Sequence, residues 1–140
     1  MRWVLNNTFN QSHFWSLQEH DRKAELRYNK EAHSMRLNTP DRRLFFLERT
    51  GLRQQRILLK TEYSVVIGES HFRDSNSGTL IIDGEKFSFL TKEGLVSLFN
   101  NNRQLVAETT IESPEHLDLY EFSALLFGLE KANRMEMAVA

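Results

Sequence analysis

Residues 117–129, which read LDLYEFSALLFGL, decide the fold of this chain. On a helix their apolar side chains cover nearly the whole circumference, and only Asp118, Glu121 and Gly128 leave a thin polar or small stripe. An amphipathic surface helix would instead carry a wide polar face. A helix that is apolar on nearly all sides must be buried on nearly all sides.

The chain before this helix predicts the sheet that surrounds it. Residues of about 2–111 show short apolar runs and alternating apolar and polar positions, typical of about eleven strands. Ser113 is a suitable helix cap and Pro114 suits the first helical position, so we predict the helix over about 114–134. We expect one domain over 1–140, a mainly β fold: a closed antiparallel barrel of about eleven to twelve strands around one hydrophobic C-terminal helix.

The strands are expected to be joined in hairpins, and one hairpin pattern returns three times. Ala24-Glu25, Gly68-Glu69 and Ala107-Glu108 each follow an apolar strand and a polar turn. Asp83-Gly84 predicts a two-residue hairpin turn, because both residues tolerate positive φ. Repeated hairpins that cannot bury their own apolar faces are expected to pack into one closed sheet. We interpret the three glutamates as charges that keep hairpin edges solvated.

The chain resembles the tubby C-terminal-like superfamily, which includes tubby-like proteins and phospholipid scramblases. The resemblance rests on the three small-residue–Glu hairpins, on the strand-turn units that end at Gly51 and Gly94, and on the single hydrophobic helix. It implies a barrel of roughly twelve strands around a central helix. It also implies binding of phosphoinositide headgroups by basic side chains outside the barrel. Scramblase activity is not implied, because the chain has neither a membrane helix nor a Cys-rich lipidation segment.

Signatures of enzymes and metal proteins are missing from the sequence. The chain has no cysteine, no Gly-x-Ser-x-Gly nucleophile turn and no glycine-rich phosphate loop. Its five histidines lack the i, i+4 and i, i+2 spacings that bring two metal ligands onto one face of a helix or strand. We therefore predict a non-enzymatic protein without catalytic residues, metal or cofactor.

The apolar runs also bear on location. The N-terminal residues MRWVLNN contain an apolar run of only three residues, unlike a signal peptide. The longest apolar stretch, Leu117 to Leu129, is shorter than the about 20 residues needed to span a bilayer. We expect a cytoplasmic protein without a transmembrane segment.

Charge is distributed unevenly along the chain. The net charge is −1, yet residues 22–60 hold eleven Lys or Arg against four Asp or Glu. Such asymmetry is typical of a surface for an anionic partner, and the planar fork of arginine gives phosphate two parallel hydrogen bonds. The candidate anion-binding residues are Arg42, Arg43, Arg53, Arg56 and Lys60.

These residues favour a binding module for anionic phospholipid headgroups or a membrane surface, through the basic region 42–60. Nucleic acid is a poorer partner, because the chain is slightly acidic overall and nucleic-acid surfaces carry exposed aromatics. The apolar runs 44–47 and 65–67 predict strands covered on both faces, so Phe45 and Phe46 are expected in the core.

Two alternatives stay open. A lipocalin-like carrier of a small hydrophobic ligand would line a hollow barrel with Trp3, Phe14 and Trp15. Against it, the 117–129 helix has enough bulk to fill a small barrel. A protein-interaction domain is the other alternative.

Overall fold

Eleven strands and one helix make up the part of the chain that the computed structural model describes, residues 2–19, 22–38, 43–50, 55–111 and 117–139. The strands are β1 (Arg2–Phe9), β2 (Ser12–Glu19), β3 (Arg22–Asn29), β4 (Ser34–Leu37), β5 (Leu44–Thr50), β6 (Arg56–Thr61), β7 (Val66–Asp74), β8 (Ser77–Ile82), β9 (Glu85–Lys92), β10 (Leu95–Phe99) and β11 (Leu105–Ile111). The helix is α1 (Leu119–Val139).

The strands form one closed barrel. Each strand pairs with the next along the chain, always antiparallel. The barrel closes between β1 and β11, which pair in parallel, with Arg2 opposite Thr110 and Trp3 opposite Ile111. The parallel closure follows from the odd strand number, because the first and last strands of an eleven-stranded meander run the same way. The predicted barrel is confirmed, and one of its pairs is parallel.

The small residues of the repeated hairpins line the inside of the barrel. Each of them lies opposite a leucine of the preceding strand, and they belong to the core or pack against it. A Cβ atom on Gly68 would lie 2.8 Å from the carbonyl oxygen of Ile81 and 3.1 Å from a ring carbon of Phe127 on α1. Small residues at these positions therefore make room for the helix. The pairs are Leu17–Ala24, Leu59–Gly68 and Leu98–Ala107.

The glutamates of the same hairpins lie on the outer face of the barrel. Glu69 accepts a hydrogen bond from Arg56 on β6, and Glu108 accepts one from the hydroxyl of Ser97 on β10. Their strands have hydrogen-bonded neighbours on both sides, so there is no edge for them to protect. The edge-charge interpretation was therefore wrong, because closing the barrel removes the edges.

The helix α1 runs through the barrel, as the sequence predicted. Every residue from 121 to 130 is buried. Gly128 marks the closest approach to the wall, since a Cβ atom there would lie 2.9 Å from Leu26 Cδ1 and 3.0 Å from a ring carbon of Trp3. The nearly complete apolar circumference of the helix thus faces the barrel wall.

The helix begins later than the predicted residue 114. Asp118 Oδ1 accepts a hydrogen bond of 2.8 Å from the backbone N–H of Glu121, so Asp118 is the N-cap of α1. Ser113 and Pro114, the predicted cap and first residue, lie outside the described residues. The helix also continues to Val139 instead of ending near 134.

Replacing a buried leucine of α1 by aspartate tests the central position of the helix. Leu125→Asp buries an unpaired carboxylate, at a cost of several kcal/mol against a total stability of about 5–15 kcal/mol. We expect circular dichroism to show no cooperative thermal unfolding. Leu105→Asp, at an exposed position of β11, is the control and should fold. A Leu125→Asp protein with a wild-type melting temperature would contradict the central helix.

Candidate functional site

The predicted anion-binding residues that the structure describes lie on the outside of the β5–β6 hairpin. Arg56 and Lys60 alternate with buried apolar residues of β6 and therefore point outward. Arg43 precedes β5, and its guanidinium carbon lies 5.7 Å from the centroid of the Phe45 ring. We call Arg43, Arg56 and Lys60 the basic surface. The remaining two candidates, Arg42 and Arg53, lie outside the described residues.

Two cations of the basic surface contact glutamates from neighbouring strands. The Arg56 guanidinium donates to Glu69 Oε2 over 2.5 Å, and this hydrogen bond raises the pKa of Arg56 above its ordinary value. Lys60 forms an ion pair with Glu48 of β5. Solvent-exposed ion pairs of this kind add little to stability, so an anionic ligand can displace either glutamate from its cation at low cost.

Exposed apolar side chains surround Lys60, and the sequence did not reveal them. Phe46 lies opposite Lys60 in the sheet, and Lys60 lies opposite Val66 on its other side. The β6–β7 turn adds Tyr63 and Val65. The exposed fractions are 36% for Phe46, 87% for Tyr63, 56% for Val65 and 49% for Val66. We call these four residues the apolar tip.

The apolar tip corrects two sequence predictions. Phe46 was expected in the core, and the run 65–67 was expected to be covered on both faces. Both expectations were wrong, because a barrel with a helix inside covers only the inner face of each strand. The period of two in β5, where Phe45 and Leu47 are buried, was the available signal for the outward position of Phe46.

The barrel interior is occupied by α1. Trp3 and Trp15, the tryptophans expected to line a cavity, are both buried. Trp3 lies against Gly128, and the indole Nε1 of Trp15 donates to Glu121 Oε2 over 2.8 Å. These aromatic side chains therefore pack around the helix. The helix occupies the space that the ligand of a carrier protein would need.

Glu121 is a buried charge near the start of α1 that links the helix to the wall. Its Oε2 accepts hydrogen bonds from Trp15 Nε1 and, over 2.7 Å, from His13 Nδ1. Tyr28 lies near this group, and burial, followed by the charges of Asp118 and Glu121, raises the pKa of its phenol well above the ordinary range. This arrangement sets the rotation of the helix, because the carboxylate has to face β2.

Ion pairs connect the C-terminal half of α1 to the β8–β9 turn. Asp83 Oδ2 accepts from Arg134 over 2.7 Å and from Lys131 over 3.2 Å. Burial alone would raise the pKa of Asp83, but the two cations outweigh it and lower that pKa. Burial raises the pKa of Glu130, although its Oε1 lies 2.6 Å from Arg134 Nη2.

Comparisons with known proteins return no relative: no family model, no curated protein and no solved structure matches the chain. In the described part of the chain, no helix is long and apolar enough to cross a membrane. Those same residues contain no group of three or more His, Asp or Glu side chains that could hold a metal ion.

Removing the Glu121 carboxylate should destabilise the protein. Glu121→Ala leaves the buried indole N–H of Trp15 without its acceptor, and we expect a loss of about 2 kcal/mol or more in the free energy of unfolding. Urea denaturation measures this loss. Glu108→Ala, on the outer face, should change the stability by less than about 0.5 kcal/mol. Equal stability of the two variants would show that Glu121 does not anchor the helix.

The ion pairs of Asp83 predict a pH-dependent stability. Because its pKa is lower in the folded state, Asp83 stabilises the fold above the ordinary carboxyl pKa, and this contribution is lost as the pH falls. Asp83→Asn should therefore lower the melting temperature at pH 7, and the difference should shrink below about pH 4. Glu31→Gln, in an exposed turn, is the control. A difference that persists unchanged at low pH would disprove this role of the carboxylate.

Proposed function

We propose that this protein is a non-enzymatic binding module that attaches to anionic phospholipid surfaces. The attachment uses the outer side of the β5–β7 strands, where the apolar tip adjoins Lys60 of the basic surface. The basic region contains the original candidates Arg42, Arg43, Arg53, Arg56 and Lys60.

The observation that carries this proposal is the exposure of the apolar tip around a lysine. A tyrosine that is 87% exposed at a turn, beside two exposed valines, is a costly feature in water. Aromatic and aliphatic side chains of this kind favour the boundary between headgroups and acyl chains. The tip therefore supports insertion into a membrane interface.

The cations supply the preference for anionic lipid. Each Lys or Arg close to an anionic bilayer contributes about 1 kcal/mol, and the attraction falls off within a Debye length. Lys60 lies opposite Phe46 of the apolar tip, so apolar insertion brings its charge to the headgroups, and Arg43 lies next to the start of the same strand, β5. The anionic lipids of the cytoplasmic leaflet agree with the cytoplasmic location expected from the sequence.

Of the two alternatives, the carrier fits the geometry less well, and the protein-interaction domain is distinguished by experiment. A hydrophobic-ligand carrier needs an interior cavity, and α1 occupies the interior among the residues described. A protein-interaction domain could use the apolar tip against another protein. Vesicle binding distinguishes that alternative from the membrane proposal, because the purified protein meets lipid vesicles and no other protein in this experiment.

Co-sedimentation with vesicles of neutral phosphatidylcholine, with and without phosphatidylserine, tests the proposal. We expect binding only to the anionic vesicles and weaker binding at high salt, because salt screens the headgroup charges. Tyr63→Ser combined with Val65→Ser should weaken binding roughly tenfold, which corresponds to about 1.4 kcal/mol of lost apolar burial. Lys60→Gln should reduce the salt dependence.

A matched control comes from the other end of the barrel. Phe9→Ser removes an exposed aromatic from the β1–β2 turn and should leave vesicle binding unchanged. Equal binding by wild type and the Tyr63→Ser, Val65→Ser variant would contradict the role of the apolar tip. A wild-type protein that binds no vesicle would contradict the membrane proposal and favour a protein partner.

A further inference from the structure

Two arginines face each other across neighbouring strands outside the basic surface. Arg27 of β3 and Arg36 of β4 are direct cross-strand partners. Both are exposed on the outer face of the barrel. Side chains in such a pair have Cβ atoms about 4.5–5.5 Å apart, and like charges there destabilise the sheet. The sheet thus places two like charges next to each other on its outer face.

Neither arginine of the pair forms an ion pair with an acid among the residues described, although Glu25 borders the same depression. The Arg27 guanidinium lies over the Phe14 ring, 5.4 Å from its centroid, and donates to the hydroxyl of Ser12 over 3.4 Å. These contacts orient Arg27 but leave its positive charge. Arg36 makes no hydrogen bond or ion pair with another described side chain.

Both guanidinium groups border a depression of about 330 Å³ in the outer face of β2–β4. Asn6 and Asn38 also line it; the Asn6 amide donates one hydrogen bond to Ser16 Oγ over 2.8 Å and has a second N–H that can donate to an anion, as can the amide of Asn38. Glu25 also borders it and is engaged in an interaction of its own. The depression therefore combines two arginines and two side-chain amides with one carboxylate.

We propose that this depression binds a phosphate group between Arg27 and Arg36. Each guanidinium offers parallel N–H donors whose spacing matches two phosphate oxygens. A phosphate monoester carries about −1.5 to −2 charges near neutral pH, and its three strong acceptor oxygens can accept hydrogen bonds from both arginines at once. The phosphate can belong to a small phosphomonoester or to a lipid headgroup. The site lies on β3–β4 and does not depend on membrane attachment through β5–β7.

Thermal unfolding with inorganic phosphate tests the site. Against chloride at equal ionic strength, phosphate should raise the melting temperature of the wild type, because a ligand that binds only the folded state stabilises it. Arg36→Gln should lose this response, with phosphate affinity weakened roughly tenfold to one-hundredfold. Without phosphate at low salt, Arg36→Gln should melt at or above the wild-type temperature, because the repulsion is gone.

Matched variants separate a site from a general effect of anions. Arg73→Gln removes an exposed arginine of β7 that lies outside the depression, and it should keep the phosphate response. Arg36→Lys keeps the charge but loses the planar fork, so it should fold normally and respond weakly. Equal stabilisation of wild type and Arg36→Gln by phosphate would overturn the proposal.

The source of the phosphate is decided by two further arms. One arm titrates glycerol 3-phosphate, and the other uses vesicles that contain phosphatidic acid, whose headgroup is a phosphomonoester, or phosphatidylglycerol, a phosphodiester. A response to glycerol 3-phosphate without vesicle binding supports the site with a small-molecule ligand and contradicts the membrane proposal. If the protein binds vesicles with phosphatidic acid more tightly than vesicles with phosphatidylglycerol, and Arg36→Gln abolishes this difference, the phosphate belongs to a lipid headgroup. Vesicle binding that is insensitive to both Arg36→Gln and glycerol 3-phosphate overturns the site and leaves the membrane proposal intact.

Discussion

The fold depends on one steric constraint: the barrel wall must enclose a helix. A helix with its side chains is about 10–12 Å across, and the interior of a barrel widens with strand number. Eleven strands enclose α1, and the wall still needs small side chains where it approaches the helix most closely. Gly68 on the wall and Gly128 on the helix meet this need, since a Cβ atom on Gly68 would lie 3.1 Å from a ring carbon of Phe127 and one on Gly128 would lie 2.9 Å from Leu26 Cδ1. Apolar contact on all sides of α1 then forms the core.

Apolar packing alone does not fix the rotation and depth of a helix in a cylinder. Polar contacts at defined heights supply that information here. Glu121 accepts hydrogen bonds from Trp15 and His13 near the start of α1, and the hydroxyls of Ser70 and Ser123 are 2.7 Å apart two residues further on. Asp83 binds two cations of the C-terminal half of the helix. A displaced helix would leave buried polar groups without partners, which costs more than each contact contributes.

Because α1 fills the interior of the barrel, a ligand can contact only the outer surface. The inner face of every strand packs around the helix, so ligands have to be recognised by outward side chains, turns and depressions. Two outer regions are energetically unfavourable when they face only water. They are the apolar tip beside Lys60 and the cross-strand arginine pair Arg27 and Arg36. They lie on different strands, so the proposed contacts with a membrane surface and with a phosphate group do not depend on each other.

The closed barrel, the buried C-terminal helix and the basic character of residues 22–60 could all be predicted from the sequence, because periodicity, turn chemistry and charge are local properties. It also pointed to the turn at Asp83-Gly84, where both residues have positive φ. Which side chains share a surface could be seen only in the tertiary structure. Phe46 was expected in the core because a run of apolar residues does not show whether one or both faces are covered. Arg56 and Lys60 were counted as excess charge, yet Glu69 and Glu48 reach them from neighbouring strands. Strand register sets such pairings, and it joins residues that the chain keeps apart.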